Sequence, residues 1–395
     1  MTKKELVVGF QHFIAMFGAT ILVPLLTGFP VSIALFTSGV GTLIFHYVTD
    51  KKVPAYLGSS FAFIAPLSLV IADYGGVSSA LGGIIFAGLI YVITGWLLGR
   101  ADKSIIRKIF PPVVTGPIIM IIGLSLAPIA IGNIEGTGII GIFIAILTLI
   151  TAMITVLKGK GLLKVLPIIT GVFVGYVASM IIGVGEAPQI AEAAIIGLPS
   201  FQLPTFNLTA ITIIAPVAIV TMIEHIGDIL AISETIGKDR ELVTNPGVNK
   251  TLYGDGLATL FAGLVGGLPN TTYGENTGVL ALTNVYKSSV IRVGAVIAII
   301  TSFVPKFEAL IMGIPEPVIG GISILLFGMI TAVGIRTLIK DNTDLQNSRN
   351  LIIISTILVL GLGGAVIEIG AVEISSMSLA AITGIILNLL LPEER

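Results

Sequence analysis

The sequence predicts an all-α polytopic membrane protein of 14 transmembrane segments, arranged as two inverted seven-span repeats. Three observations lead there: an apolar composition, a one-sided distribution of lysine and arginine, and short motifs that recur at a nearly constant offset. Of 395 residues, 55% are hydrophobic and 11% charged, and the mean hydropathy is +1.06. Most of the chain is therefore suited to lipid rather than water. The 47 glycines suit close helix packing in a bilayer, and the 19 prolines imply breaks in several helices.

Composition also removes classes of function. A formal net charge of −1 offers no basic field for nucleic acid. The absence of cysteine excludes thiol chemistry and thiolate metal sites, and only His12, His46 and His225 could supply imidazole. No metal or cofactor is expected. Walker, HExxH and dinucleotide fingerprints are missing as well, which argues against an enzyme or a transport ATPase. The first apolar run follows Lys3 and Lys4 without a convincing small-x-small cleavage site, so it reads as a retained span.

Apolar runs able to cross about 30 Å of hydrocarbon fall at 6–26, 31–49, 78–99, 110–131, 138–157, 162–183, 206–233, 288–312, 316–337, 350–366 and 373–391. Three weaker segments, at 56–73, 251–267 and 272–287, are glycine-rich or polar. Charge decides their status. If all 14 segments cross, 20 of the 21 basic residues lie on one side and only Lys306 lies opposite. Demoting any weak segment to a loop would flip every later connection and scramble that order. Both termini are accordingly expected in the cytoplasm, with the chain in the cell inner membrane.

The repeat shows in paired fragments. Gln11-His12 and Glu224-His225 stand 213 residues apart, Pro54 and Pro269 stand 215 apart, and Pro112-Val113-Val114-Thr115-Gly116 resembles Pro317-Val318-Ile319-Gly320-Gly321 at an offset of 205. In each half the third span is the weak one: Gly58-Ser59-Ser60-Phe61-Ala62-Phe63 and Asn270-Thr271-Thr272-Tyr273-Gly274-Glu275-Asn276. A short extended stretch before a half-helix is expected in spans 3 and 10, leaving amide groups for a polar ligand.

Most of the 22 acidic residues lie in connections, but Glu224, Asp228, Asp255 and Glu275 fall within spans. An ionised carboxylate there costs several kcal/mol unless partnered, so such residues are functional candidates. Glu224 and Asp228, four residues apart, share a helix face and resist simultaneous ionisation, which suits proton binding. Asp255, between Gly254 and Gly256, reads equally well as an acid that satisfies a neighbouring group. His12, a polar residue in an apolar helix, should face protein, and it joins Glu224, Asp228 and Asp255 as a candidate for proton coupling. His225 points about 100° away from Glu224 and reads as a histidine hydrogen-bonded between helices. Glu234 reads as a solvated carboxylate and Trp96 as an interfacial anchor.

The stretches Pro54-Ala55-Tyr56-Leu57-Gly58-Ser59-Ser60-Phe61-Ala62-Phe63, Glu224-His225-Ile226-Gly227-Asp228 and Asn270 through Gly278 resemble the nucleobase/ascorbate transporter family, in particular its bacterial uracil-transporting branch. The resemblance covers essentially the whole chain. Glu275-Asn276-Thr277-Gly278 followed by Thr283 is similar to the family signature, in which an acidic or amide residue precedes Asn-x-Gly and a threonine follows five positions later. It implies a core domain from 1–109 and 206–313 and a gate domain from 110–205 and 314–395, with the substrate between them and a homodimer formed through the gate.

Carried over by position, the resemblance implies that the Glu224 and Glu275 carboxylates bind the base, backbone near Phe61 and Gly274 binds its polar edge, and Tyr273 closes the pocket. Asn276, Gly278 and Thr283 form the structural motif. The implied function is proton-coupled import of uracil by alternating access. Uracil's two N–H donors ask for carboxylates and its two carbonyls for amides. A xanthine or urate carrier is the alternative. Asp255 matches an acidic position of purine carriers, whereas Glu275 stands where those usually have glutamine. An anion carrier or channel sits poorly with four intramembrane acids. Two departures matter: Asp228 stands where some uracil permeases have histidine, and Asn284 stands where the family usually has Arg, Lys or Gly.

Overall fold

The computed structural model describes residues 2–100, 108–161, 163, 166–185, 190–238, 241–369 and 372–392. Lys103, Arg107, Lys164, Arg240 and Arg395, which contribute to the one-sided charge pattern, lie outside them. The chain is mostly helical. Helix α1 (Lys3–Thr27) opens with a capping box, in which the Glu5 amide donates to Thr2 Oγ1 at 3.2 Å and the Thr2 amide to Glu5 Oε2 at 2.9 Å. It closes at Gly28, whose φ of 77° places it in the left-handed region.

Helix α2 (Val31–Val48) leads to strand β1 (Leu57–Ser59), a 3-10 turn (Phe61–Phe63), α3 (Ile64–Asp73) and α4 (Gly76–Arg100). Then come α5 (Pro112–Ser125), α6 (Ala127–Gly132), α7 (Gly138–Lys158) and α8 (Pro167–Ile182). The second half holds α9 (Leu208–Ile214), α10 (Val217–Thr235), α11 (Val248–Val265), strand β2 (Asn270–Thr272) and α12 (Gly274–Thr283). It ends with α13 (Ser288–Ser302), α14 (Pro305–Met312), α15 (Glu316–Lys340), α16 (Ser348–Leu362), the hairpin β3 (Ile367–Ile369) and β4 (Val372–Ile374), and α17 (Ser376–Leu390).

Among the described residues, seven helical stretches are long and apolar enough to cross a membrane, and four shorter apolar helices accompany them. The apolar run 288–312 is not one straight helix: α13 and α14 meet at 88°. Pro305 explains the break, because it carries no amide hydrogen to continue α13 and suits the first position of a new helix. Similarly, 206–233 divides at Ala215-Pro216 between α9 and α10. The run 373–391 begins inside a hairpin in which Ile367 pairs with Ile374 and Glu368 with Glu373.

Small residues bring the helices together. A Cβ on Gly88 of α4 would stand 2.7 Å from the Leu260 amide nitrogen of α11, and one on Gly334 of α15 would stand 2.5 Å from the Gly116 carbonyl of α5. These contacts are backbone to backbone, as expected where lipid supplies no hydrophobic drive between helices. Outward, α7 exposes Ile139, Phe143, Ile146, Ile150, Ile154 and Leu157, an apolar face suited to hydrocarbon.

Candidate functional site

The two weak segments meet. Strands β1 and β2 pair antiparallel, with Leu57 opposite Thr272, Gly58 opposite Thr271 and Ser59 opposite Asn270. The ladder is extended at both ends, since the Ser60 amide donates to the Pro269 carbonyl at 3.0 Å and the Tyr273 amide to the Tyr56 carbonyl at 2.9 Å. A threonine from the preceding helix anchors each strand. The Leu57 amide donates to Thr42 Oγ1 at 2.9 Å, and the Thr42 hydroxyl donates to the Leu57 carbonyl at 3.3 Å. The Asn270 amide and carbonyl make the same exchange with Thr259, both at 3.1 Å. Extended backbone at this depth survives only where protein satisfies it, and these hydroxyls do so.

Each strand feeds a half-helix whose N-terminus lacks a side-chain cap: Ser60 before the 3-10 turn and Tyr273 before α12 make no capping bond. Free amides at a helix start attract anionic or carbonyl oxygen. Glu275 lies in the first turn of α12, where a carboxylate is favoured by the helix dipole. Gly274 and Gly278 on the same helix are exposed. A Cβ on Gly278 would meet nothing within 4 Å, and one on Gly274 would find Asp228 Oδ1 at 3.7 Å.

Helix α10 supplies the facing carboxylates. Glu224 and Asp228 are partly exposed, one helical turn apart, and Glu224 lies within electrostatic reach of Glu275 and Asp255. Glu224 Oε2 is buried without a hydrogen-bond partner. An unmet buried acceptor costs about 1–3 kcal/mol, which a ligand N–H would recover. The structure thus gathers Glu224, Asp228, Gly274 and Glu275 into one partly exposed cluster, hereafter the opening.

The remaining expected residues are placed differently. The Phe61 ring is 6% exposed and meets Phe327 of α15 edge-on, with centroids 6.1 Å apart at 77°. Tyr273 is turned beneath the ladder: its ring fills the space above Gly58, its hydroxyl donates to the Ser59 carbonyl at 2.8 Å, and Thr20 donates to that hydroxyl at 3.3 Å. It therefore ties the crossing together. Asn276 Nδ2 donates to the His12 carbonyl at 3.0 Å and lies 3.1 Å from His12 Nδ1, joining α12 to α1. Thr283 donates to the Val279 carbonyl at 2.8 Å near the end of α12. Asn284 closes that helix with φ 52°, a left-handed cap that asparagine tolerates well.

His225 stands between helices, as the sequence suggested, and Thr272 is the neighbour that sequence reasoning missed. His225 Nδ1 lies 2.8 Å from Asp255 Oδ2 with both side chains fully buried, and 3.4 Å from Thr272 Oγ1. The Thr272 hydroxyl donates to Asp228 Oδ2 at 3.1 Å. Rotation away from Glu224, the angle by which the sequence set His225 between helices, is what aims it at α11. Glu234 is exposed and meets Lys340 of α15 at 2.6 Å. Trp96 is exposed too, with the Arg100 guanidinium 3.7 Å from its ring centroid. Among the described residues no cluster of three His, Asp or Glu side chains could hold a metal ion.

Residues 3–369 match the model of the Permease family Xan_ur_permease. The chain belongs to that family. It is a multi-pass membrane permease and not an enzyme. It is 44% identical over 394 residues to the uracil permease of Bacillus caldolyticus, covering 97% of this chain and 90% of that one. It is also 40% identical to the uracil permease of Escherichia coli strain K12, covering 96% and 89%. In fold, the permease resembles the transmembrane domain of a cyanobacterium bicarbonate transporter, BicA, with a TM-score of 0.68 at 17% identity over 96% of this chain and 97% of that one. Murine Slc26a9 in the inward-facing state gives 0.68 at 11% identity, over 98% of this chain and 67% of that one.

Proposed function

We propose that this permease imports uracil by proton-coupled symport and alternating access. The observation that carries the reading is the opening where Glu224 and Glu275 face the uncapped half-helix starts. Uracil's N–H donors complement the carboxylates, its carbonyls complement the free amides at Phe61 and Gly274, and its flat ring fits beside the glycine face of α12. The relatives named uracil permease, at 40–44% identity over nearly their full length, support the same substrate.

In this reading 14 segments cross: α1, α2, β1 with α3, α4, α5 with α6, α7, α8, α9 with α10, α11, β2 with α12, α13, α15, α16 and α17. Helix α14 lies across the bundle. The matching threonine anchors of β1 and β2, and the pairing of α2 with α13 and of α11 with α4, support two inverted seven-span repeats. Segments 1–109 and 206–313 form a core that carries the site, and 110–205 with 314–395 form a gate against which it moves. The gate holds the homodimer contact, and both termini face the cytoplasm from the inner membrane.

Coupling follows from linkage. A carboxyl that binds the proton and the base together makes each favour the other, so an inward proton gradient drives accumulation. Glu224 and Asp228 hold the proton in this scheme, with Asp255 and His12 in support. Uptake into proteoliposomes with imposed pH or sodium gradients and competing bases tests it. Uracil accumulation driven by an inward proton gradient is the expected result. Sodium-driven accumulation would replace the coupling ion, and transport of xanthine or urate that uracil cannot compete with would replace the substrate.

A further inference from the structure

The carboxylates of the opening are not equally free. Asp228 Oδ2 accepts the Thr272 hydroxyl at 3.1 Å, while Asp228 Oδ1 is the atom nearest to where a Gly274 Cβ would stand, at 3.7 Å. One oxygen is held from behind and the other looks towards the first turn of α12. Thr272 closes the β2 ladder immediately before Tyr273, the residue that enters α12. The same strand end therefore sets both the half-helix start and the orientation of Asp228.

Donor counting extends the arrangement inward. Thr272 has one hydroxyl hydrogen, and giving it to Asp228 leaves its lone pairs towards His225 Nδ1, 3.4 Å away. The same Nδ1 lies 2.8 Å from Asp255 Oδ2, so the imidazole stands between the threonine hydroxyl and a buried carboxylate. His225 and Asp255 are sealed, each 0% exposed. Helix α11 cannot easily shift behind them, because Cβ atoms on Gly254 and Gly256 would collide with Phe45 and Tyr91. The Phe45 ring also stands edge-on to His225, with centroids 6.3 Å apart.

The surroundings make this backing unusual. The ionisable groups facing Asp228 are Glu224 on its own helix, Glu275 on α12, Asp255 on α11, and the phenol of Tyr91 on α4. Helices α5, α9 and α17, the 3-10 turn and the Val243–Gly247 turn, which also pack against α10, bring no ionisable side chain. Lys250 and Arg100 sit at helix ends, Lys250 bound to Asp50 at 2.6 Å and Arg100 over Trp96, and Lys340 is bound to Glu234 at 2.6 Å. In this cluster of acids the histidine reaches Asp228 only through one threonine hydroxyl.

We infer that Thr272, backed by the His225–Asp255 pair, is the positioning residue that holds Asp228 in the orientation coupling requires. The inference rests on the substrate and proton reading above. It assigns to Thr272 no contact with the base, only control of where the free oxygen of Asp228 points.

The test compares two activities in proteoliposomes: uracil uptake driven by a proton gradient, and exchange of labelled for unlabelled uracil at equal pH, which needs no net proton movement. Thr272→Val keeps the branched shape and removes the hydroxyl, and Thr272→Ser keeps the hydroxyl and removes the methyl. The expected result is that Thr272→Val lowers driven uptake at least tenfold more than exchange, while Thr272→Ser restores the wild-type ratio. Equal loss of both activities in Thr272→Val, or an unchanged ratio, overturns the proposal, as does a Thr272→Ser variant that behaves like the valine. Wild-type vesicles that exchange no uracil would overturn the substrate reading instead, and the same ratio would then be read with the base they do exchange.

Discussion

Strands β1 and β2 are built alike and used differently. Both are three residues long, both exchange an amide and a carbonyl bond with a threonine from the preceding helix, and Leu57 and Asn270 stand 213 residues apart, as Gln11 and Glu224 do. The half-helix entries beyond the two strands diverge. After β1 come Ser60-Phe61-Ala62-Phe63, all buried, with the Phe61 ring against α15. After β2 come Tyr273-Gly274-Glu275-Asn276, with an open glycine and a carboxylate in the first helical turn. One backbone solution thus serves two purposes. In the proposed reading, the first segment supplies amides and a hydrophobic contact to its neighbour, and the second supplies the charge.

The sharpest way to break that division is to remove the charge from one side and the ring from the other. Glu275→Gln keeps the shape of the side chain but loses a charge-assisted bond worth about 1.5–3 kcal/mol, so uracil affinity should fall roughly ten- to hundredfold by calorimetry. Glu224→Gln should do the same. Phe61→Leu should weaken binding far less, by about threefold or under, because its expected contact with the base is through backbone. Equal losses from Glu275→Gln and Phe61→Leu would show that the two crossings share the chemistry evenly.

A second pair of variants sharpens the contrast in stability. Alanine at Gly58 would drive its Cβ into the Tyr273 ring, which the Thr20 and Ser59 bonds hold in place. Overpacking of this kind costs about 1–3 kcal/mol, and a lower melting temperature in detergent should report it. Gly274→Ala meets only Asp228 Oδ1 at 3.7 Å, so the fold should survive while the added methyl narrows the opening and raises KM. A stable Gly58→Ala protein would mean that the Tyr273 ring can move aside.

Much of this division was legible in the sequence, and the reasons are physical. Glu224, Asp228 and Glu275 stood out because carboxylates in apolar runs are expensive, and the weak spans stood out because demoting them scrambles the lysines. The bend at Pro305 was missed because hydropathy over 288–312 is continuous, although the proline itself was visible. The β3–β4 hairpin was missed because Ile367-Glu368-Ile369 and Val372-Glu373-Ile374 alternate with period two but merge into an apolar stretch. The His225–Asp255–Thr272 contacts join α10, α11 and β2 across 30 and 47 residues of sequence. No local pattern encodes a meeting of that kind, and the same holds for Tyr273, whose orientation depends on Gly58 in the other half.

The hydroxyl of Tyr273 offers a finer probe. Tyr273→Phe keeps the ring above Gly58 and removes only the donation to the Ser59 carbonyl at 2.8 Å. Leaving one buried carbonyl less satisfied should cost about 1 kcal/mol, seen as a modest drop in melting temperature. Binding should change less than in Glu275→Gln, because the hydroxyl serves the ladder. A loss of affinity matching that of the glutamate variant would instead place the phenol in contact with the base.

The smallest effect is expected where the two halves touch in water. Asp50, in the turn after α2, pairs with Lys250 at the start of α11 at 2.6 Å, and that hydrogen bond holds its carboxyl below the usual carboxylate range. A lowered folded-state value means the contribution is present above the unfolded carboxylate pKa of about 3.9 and fades as pH falls through the folded value. The pair is exposed and screened by salt, so Asp50→Asn should leave the melting temperature unresolved from wild type at neutral pH. Asparagine also accepts the left-handed backbone at this position, where φ is 53°. If Asp50→Asn destabilised the protein as much as Gly58→Ala, the exposed ion pair would tie the halves as strongly as the β1–β2 pairing does, against the weak, screened contribution expected of it.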